Sequence, residues 1–318
     1  WTAPGDHAKG VCLGIIRSRD AGNTWSEPVT LFEEPDYDLY HASLVRMPGG
    51  EFGLSYTKRR SDKAFLQPCE KVFRYSADEG RTWSDEILIS DGEWAWYQTS
   101  ANDRLLLLEN GRLLHPVSRL LTRGKGENEG GCGTIVYRSD DRGRTWQRAT
   151  PEPVREPERD VFHEAALVEY APGKVLMLGR TRTGWFWESR SEDGGQTWSE
   201  AARSPVRSSV APPWLVRIPG TQTIGLAWCP YVGPGPMLGP RPVLGWQLSD
   251  DGGRTWYGYR ELEQGPTREG HWTGYCYGSG EWVGDTLHFA YMDHGGSSPL
   301  MRPRYQQLAR EWLVGDRP

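Results

Sequence analysis

Ser139-Asp140-Asp141-Arg142-Gly143-Arg144-Thr145-Trp146 is one of five copies of the pattern S-x-D-x-G-x-T-W in this chain. The others run over 18–25, 76–83, 191–198 and 249–256, and the steps between their first serines are 58, 63, 52 and 58 residues. Self-similarity at such a period marks a repeat architecture. The residue types explain one unit. Ser and Asp oxygens accept from nearby backbone N–H groups and close a turn. Glycine takes a backbone conformation that a Cβ would penalise. Thr and Trp restart a strand, and the Trp can pack between sheets. Each box therefore reads as a hairpin turn. An acid repeated five times in equivalent turns reads as structure, not chemistry.

The flanks extend the same reading. β-rich runs precede the boxes, among them Lys71-Val72-Phe73-Arg74-Tyr75 and Thr134-Ile135-Val136-Tyr137-Arg138. Further upstream lie hairpin-like pairs around glycine turns, such as 166–169 and 175–178 around Pro172-Gly173-Lys174. About four short strands in each repeat is the arithmetic of a propeller blade. No stretch sustains a helical period, so almost no helix is expected. The expectation is an all-β, six-bladed β-propeller forming one domain over residues 1–318, with the first blade incomplete. The first repeat has room for roughly two strands before residue 35, and the sixth, from about Glu269, lacks a box. The shortfall is assigned to a stretch preceding Trp1.

Composition narrows the function classes. The 37 basic and 42 acidic residues leave a net charge of −5, so no large basic excess recruits nucleic acid or an anionic membrane. A local basic pocket for a small anion is compatible with that balance. No apolar run is long enough to span a membrane. Five widely spaced cysteines form no C-x-x-C pair and read as buried thiols. The histidines form no H-E-x-x-H, so neither a catalytic metal nor a cofactor is expected; Asp-rich loops are compatible with a structural Ca²⁺, though no ligand loop is specified. Gly130-Gly131-Cys132-Gly133 leads into a strand and does not read as a nucleotide loop.

Function on a ring of repeats resides in residues that repetition does not explain. Glu164 and Arg180 straddle a hairpin turn near Gly173, which brings both to one end of a sheet. An ordinary salt bridge and an anion site both fit that pairing. Arg241 follows an irregular Pro/Gly segment, 230–240. Tyr275 and Tyr277 fall on the same face of a regular strand. Asp6 lies 12 residues ahead of Ser18, and Arg59, Arg60 and Asp62 cluster ahead of the second box.

Together these residues resemble the sialidase (neuraminidase) family and the wider group of Asp-box propellers, over essentially the whole chain. The boxes are shared with non-enzymatic propellers. The order of the asymmetric residues is more specific. Glu164 opens a hairpin that ends in Arg180, Arg241 precedes a strand leading into a box, and Tyr277 opens the last repeat ahead of Gly284-Asp285. The resemblance implies a Tyr277 nucleophile activated by Glu164, Asp6 as acid/base, and Arg180 and Arg241 clamping a substrate carboxylate. Guanidinium groups suit that clamp because their planar fork matches a carboxylate. A neutral phenol avoids part of the repulsion an anionic nucleophile would meet there.

This chain lacks the family's F/Y-R-I-P motif. In one register the missing arginine precedes Trp1. In another, Tyr40-His41-Ala42-Ser43-Leu44 occupies the motif, with His41 in place of Arg and Asp62 as the acid. The first register is preferred because it places Asp6, Glu164, Arg180, Arg241 and Tyr277 in family order. Tyr275 remains a rival to Tyr277. The implied activity is exo-acting hydrolysis of a glycan ending in sialic acid or a related acidic sugar. The alternatives are a propeller glycosidase or lyase for another acidic sugar, reusing His41 and Tyr277, and a non-catalytic carbohydrate-binding propeller.

Overall fold

The structure, a computed structural model, describes residues 11–60, 69–90, 98–122, 125, 130–233, 241–265, 274–293 and 302–315. The fold is an all-β propeller. β1 (Leu13–Ile15) and β2 (Val29–Phe32) form a two-stranded ribbon. β3 (Tyr37–Arg46), β4 (Phe52–Arg60), β5 (Cys69–Ser76) and β6 (Ile87–Leu88) form a sheet in that order. The next sheet holds β7 (Gln98–Thr99), β8 (Leu106–Leu107), β9 (Leu113–Leu120), β10 (Cys132–Ser139) and β11 (Gln147–Arg148). β12 (His163–Ala171), β13 (Lys174–Arg180), β14 (Trp185–Ser191) and β15 (Ala202–Arg207) follow, then β16 (Trp214–Arg217), β17 (Ile224–Trp228), β18 (Val243–Ser249) and β19 (Tyr257–Gln264). β20 (Tyr275–Val283), β21 (Thr286–Asp293) and β22 (Arg302–Ala309) close the series, with a short helix, α1 (Arg310–Val314), behind them.

Five sheets have the size of a blade among the described residues, where six blades were expected; the first repeat contributes the β1–β2 ribbon. A box turn and two strands use up residues 13–32. β7 and β8 both pair with the same edge of β9, so they act as one strand interrupted by residues 100–105.

Every box joins two antiparallel strands, at β1–β2, β5–β6, β10–β11, β14–β15 and β18–β19. In the third box Ser139 Oγ donates to Asp141 Oδ1 at 2.7 Å and accepts from Gly143 N at 2.8 Å. Asp141 also accepts from Thr145 N at 2.9 Å and Thr145 Oγ1 at 2.6 Å. Trp83, Trp146, Trp198 and Trp256 each donate their indole N–H to the glycine carbonyl of their own box, at 3.0 to 3.2 Å. The box glycine also abuts the preceding repeat. A Cβ on Gly143 would lie 2.1 Å from the Phe73 ring, and one on Gly195 2.5 Å from Leu114.

The core follows from period-two alternation. Ala166, Val168, Leu176 and Leu178 pack towards Leu215 and Leu226 of the following sheet. Ala165, Leu167, Val175 and Met177, one residue out of phase, pack towards Leu114 and Val136 of the preceding one. The central sheets are thus apolar on both faces, and each fully buried aliphatic side chain contributes about 1.5–3 kcal/mol. The same succession closes on itself. The first box abuts the last sheet, where Trp25 packs edge-on against Tyr305 at 5.1 Å and a Cβ on Gly22 would overlap the Tyr305 ring. Arg17 in turn donates to the carbonyls of Glu79 and Gly80 in the second box, at 3.2 Å each. Cys69, Cys132, Cys229 and Cys276 are buried, and no helix among the described residues is long and apolar enough to cross a membrane.

Candidate active site

The first strands of three sheets each carry a pairing irregularity at the same place. Register slips between Tyr40 and Ser43, between His163 and Ala166, and between Cys276 and Ser279. Within these bulges His41, Glu164 and Tyr277 adopt left-handed backbone angles, φ +56°, +46° and +56°. A non-glycine residue there costs of order 1–3 kcal/mol, so each must be held by its surroundings. Glu164 N donates to Ser118 Oγ at 2.7 Å, and Lys71 Nζ donates to the His41 carbonyl at 2.9 Å. Bulges of this kind re-aim a side chain, and here all three turn towards one another.

Tyr277 Oη donates to Glu164 Oε1 at 2.9 Å, across 113 residues of sequence. Arg180 Nη1 donates to the other oxygen, Glu164 Oε2, at 2.5 Å. Arg180 is the register partner of His163, as the hairpin spacing implies. The His41 ring lies nearly parallel to that of Tyr277, with centroids 6.4 Å apart, and its Nδ1 is 2.8 Å from Thr99 Oγ1. Arg241 is anchored by its guanidinium to the Val210 carbonyl, and its own carbonyl accepts from Tyr275 N at 2.9 Å.

Electrostatics separate the roles. Burial pushes the Glu164 carboxyl up, but Arg180, with help from His163 and His41, overcomes it and holds the group at about 2. Glu164 is therefore ionised at neutral pH. Burial and the Glu164 charge push the Tyr277 phenol well above its ordinary value, against the opposing pull of Arg180 and Arg241. Both arginines thus project positive potential onto one hydroxyl. Burial and the nearby Lys71 bring the His41 imidazole down to about 3, so it is neutral. A neutral phenol on a carboxylate under two guanidinium groups can lose its proton as it attacks an electrophile beside an anion.

The expected face-sharing of Tyr275 and Tyr277 does not hold. The bulge between Cys276 and Ser279 breaks the strand's alternation. Tyr275 instead packs edge-on against Tyr291, with centroids 6.0 Å apart. Asp6 and Asp62 lie outside the described residues, as does most of the Pro/Gly segment before Arg241.

Other contributors carried weak signals or none. Lys71 is fully buried, and burial lowers its ammonium to about 7. It sits two residues from the buried Phe73, so strand parity could have flagged a lysine on an apolar face. Arg104 lies in the loop interrupting the β7–β8 edge, and its Nη2 donates to the Pro213 carbonyl at 2.7 Å. The adjacent Asp103 accepts from Trp214 Nε1 at 2.9 Å and Gly280 N at 3.1 Å, tying three sheets together. Nothing in the local sequence marks either residue.

A family model described as a BNR repeat-like domain matches residues 3–279. No curated protein matches the chain by sequence. Among solved structures the chain is similar to the Hadza microbial sialidase Hz136 (TM-score 0.74, 19% identity, 96% of this chain and 60% of that one). It is also similar to the NanB sialidase of Streptococcus pneumoniae (TM-score 0.73, 14% identity, 98% of this chain and 66% of that one). A leech intramolecular trans-sialidase is a third (TM-score 0.73, 15% identity, 99% of this chain and 66% of that one). The chain thus spans about two thirds or less of the length of these three structures, and the likeness is one of fold.

Proposed function

This chain belongs to the BNR repeat-like domain family, and from that premise we propose that it is an exo-acting glycoside hydrolase of sialidase type. Its substrate is a glycan ending in sialic acid or a related acidic sugar. In this reading residues 1–318 act as one domain, and the β1–β2 ribbon occupies a sixth position in the ring, between the last sheet and the β3–β6 sheet.

The observation that carries the proposal is the Tyr277–Glu164–Arg180 contact. Tyr277 is the nucleophile and Glu164 takes its proton. Arg180 and Arg241 bind the substrate carboxylate, His41 bounds the sugar beside Tyr277, and Asp6 protonates the leaving oxygen. Glu164 held at about 2 is a weak base. A substrate carboxylate that shares Arg180 would relieve that hold, so binding the right anion raises the basicity of Glu164 when it is needed. In the lyase alternative, which reuses His41 with Tyr277, an imidazole held at about 3 is poorly suited to act as the base.

The test is turnover of a fluorogenic aryl sialoside. Tyr277→Phe should lower kcat at least about a hundredfold while the fold is retained, since Glu164 keeps Arg180 as its partner. Tyr275→Phe should change kcat less than about twofold. Equal losses in the two variants would move the nucleophile away from Tyr277. Absence of turnover by the wild type on every sialoside tried would favour another acidic sugar or a binding role.

A further inference from the structure

The outer half of the β12–β15 sheet carries a second basic feature that the chemistry above does not use. Trp185 opens β14, and Arg203 and Arg207 lie two turns of the pleat apart on β15, with Arg207 the register partner of Trp185. The Arg203 and Arg207 guanidinium carbons lie 5.2 and 5.5 Å from the centroid of the Trp185 ring. Both arginines are exposed, and among the described residues neither is paired with a carboxylate. Each cation is attracted to the ring, but the two repel one another. An anion bound at this exposed cluster would offset that repulsion and accept from the guanidinium groups.

The feature lies on the side of the sheet that holds the central site. Antiparallel order puts the start of β12, the end of β13, the start of β14 and the end of β15 at one edge, where Glu164, Arg180, Trp185 and Arg207 lie. With strands about 4.8 Å apart, Arg207 stands about 10 Å outward from Arg180. The chain after Arg207 then leads to Val210, whose carbonyl holds the Arg241 guanidinium. Three residues span at most about 10 Å, so the rim pair and the central guanidinium groups are neighbours along a path that a short sugar chain can cover. The backbone there is fixed, because Trp228 Nε1 donates to the Arg207 carbonyl at 3.0 Å and Ser208 N to the Gly184 carbonyl at 3.1 Å.

We propose that Arg203, Arg207 and Trp185 form a rim subsite for a second anionic group, a carboxylate or sulfate, on the part of the glycan that departs after cleavage. This placement rests on the reading of the central site given above. The anion binding itself does not. Specificity would then favour chains in which the residue beyond the terminal acidic sugar is also charged.

The test measures calorimetric binding and turnover on the full chain. The probes are a trisaccharide of carboxylated sugars, a trisaccharide sulfated beyond its terminal acidic residue, and that second trisaccharide without its sulfate. The double variant Arg203→Gln/Arg207→Gln should weaken binding of one or both doubly charged probes about tenfold, an effect lost in 0.5 M salt, and should leave the third unchanged. Whichever charged probe loses more identifies the natural group. Turnover of the aryl sialoside, which carries no second charge, should stay at the wild-type level. The proposal is overturned if the double variant binds both charged probes as the wild type does, or if wild type binds neither better than the third. It is equally overturned if aryl sialoside turnover falls in parallel with binding. If wild type cleaves no sialoside, the central reading fails alone, and the binding comparison still decides on the rim.

Discussion

Glu164→Ala should be among the most destabilising single changes in this protein, for a reason separate from activity. The Glu164 and Arg180 side chains are 5% and 8% exposed, so their ion pair lies out of water. Removing one partner strips the other buried charge of this contact, and breaking a buried pair in that way costs about 3–5 kcal/mol. Titration leads to a similar figure. A carboxyl taken from 4.5 in the unfolded chain to about 2 in the fold corresponds to about 3 kcal/mol, at about 1.4 kcal/mol for each pH unit between them. Because the folded value is the lower one, this stability is fully present above pH 4.5 and is lost as pH falls through about 2. Urea unfolding of wild type, Glu164→Ala, Arg180→Ala and the double variant at pH 7 measures it. The double variant should be about 2–3 kcal/mol more stable than the sum of the single losses implies, because it removes both members of the pair together. A loss below about 1 kcal/mol for Glu164→Ala, or strict additivity in the cycle, would refute the account of a buried, mutually dependent pair.

Two further changes probe the frame and the buried lysine. Asp193 accepts from Ser191 Oγ, Gln196 N, Thr197 N and Thr197 Oγ1 at 2.6 to 2.9 Å, in a turn open to water. Asp193→Ala should therefore cost only about 1–2 kcal/mol in thermal or urea unfolding and leave kcat within about twofold. Lys71 is lowered from 10.5 to about 7 by burial, so between those values the unfolded chain binds a proton that the fold does not. Stability attributable to Lys71 should accordingly rise with pH from 7 to 10.5, and urea midpoints of Lys71→Met against wild type across that range should lose this rise.

Much of the frame was legible in the sequence because it is written in local chemistry. The boxes bond within eight consecutive residues, so Ser, Asp, Gly and Thr at fixed offsets specify the turn wherever the segment sits. Continuous apolar runs such as 165–168 and 175–178 specify strands that can bury both faces. The hairpin arithmetic that placed Glu164 and Arg180 at one end of a sheet is likewise short-range. The blade count was less secure, because the first repeat yields a two-stranded ribbon, and strand parity failed at Tyr275 and Tyr277. What only the tertiary structure decided was the aim of the side chains. Three bulges with left-handed residues turn His41, Glu164 and Tyr277 inward, and no local pattern announces a conformation that the chain disfavours on its own. Closing the ring brings together groups 113 residues apart and buries Lys71 and Arg104 beside them. It is this assembly, not any motif, that sets their charges: Arg180 keeps Glu164 an anion against its burial, and burial beside that anion keeps Tyr277 a neutral phenol.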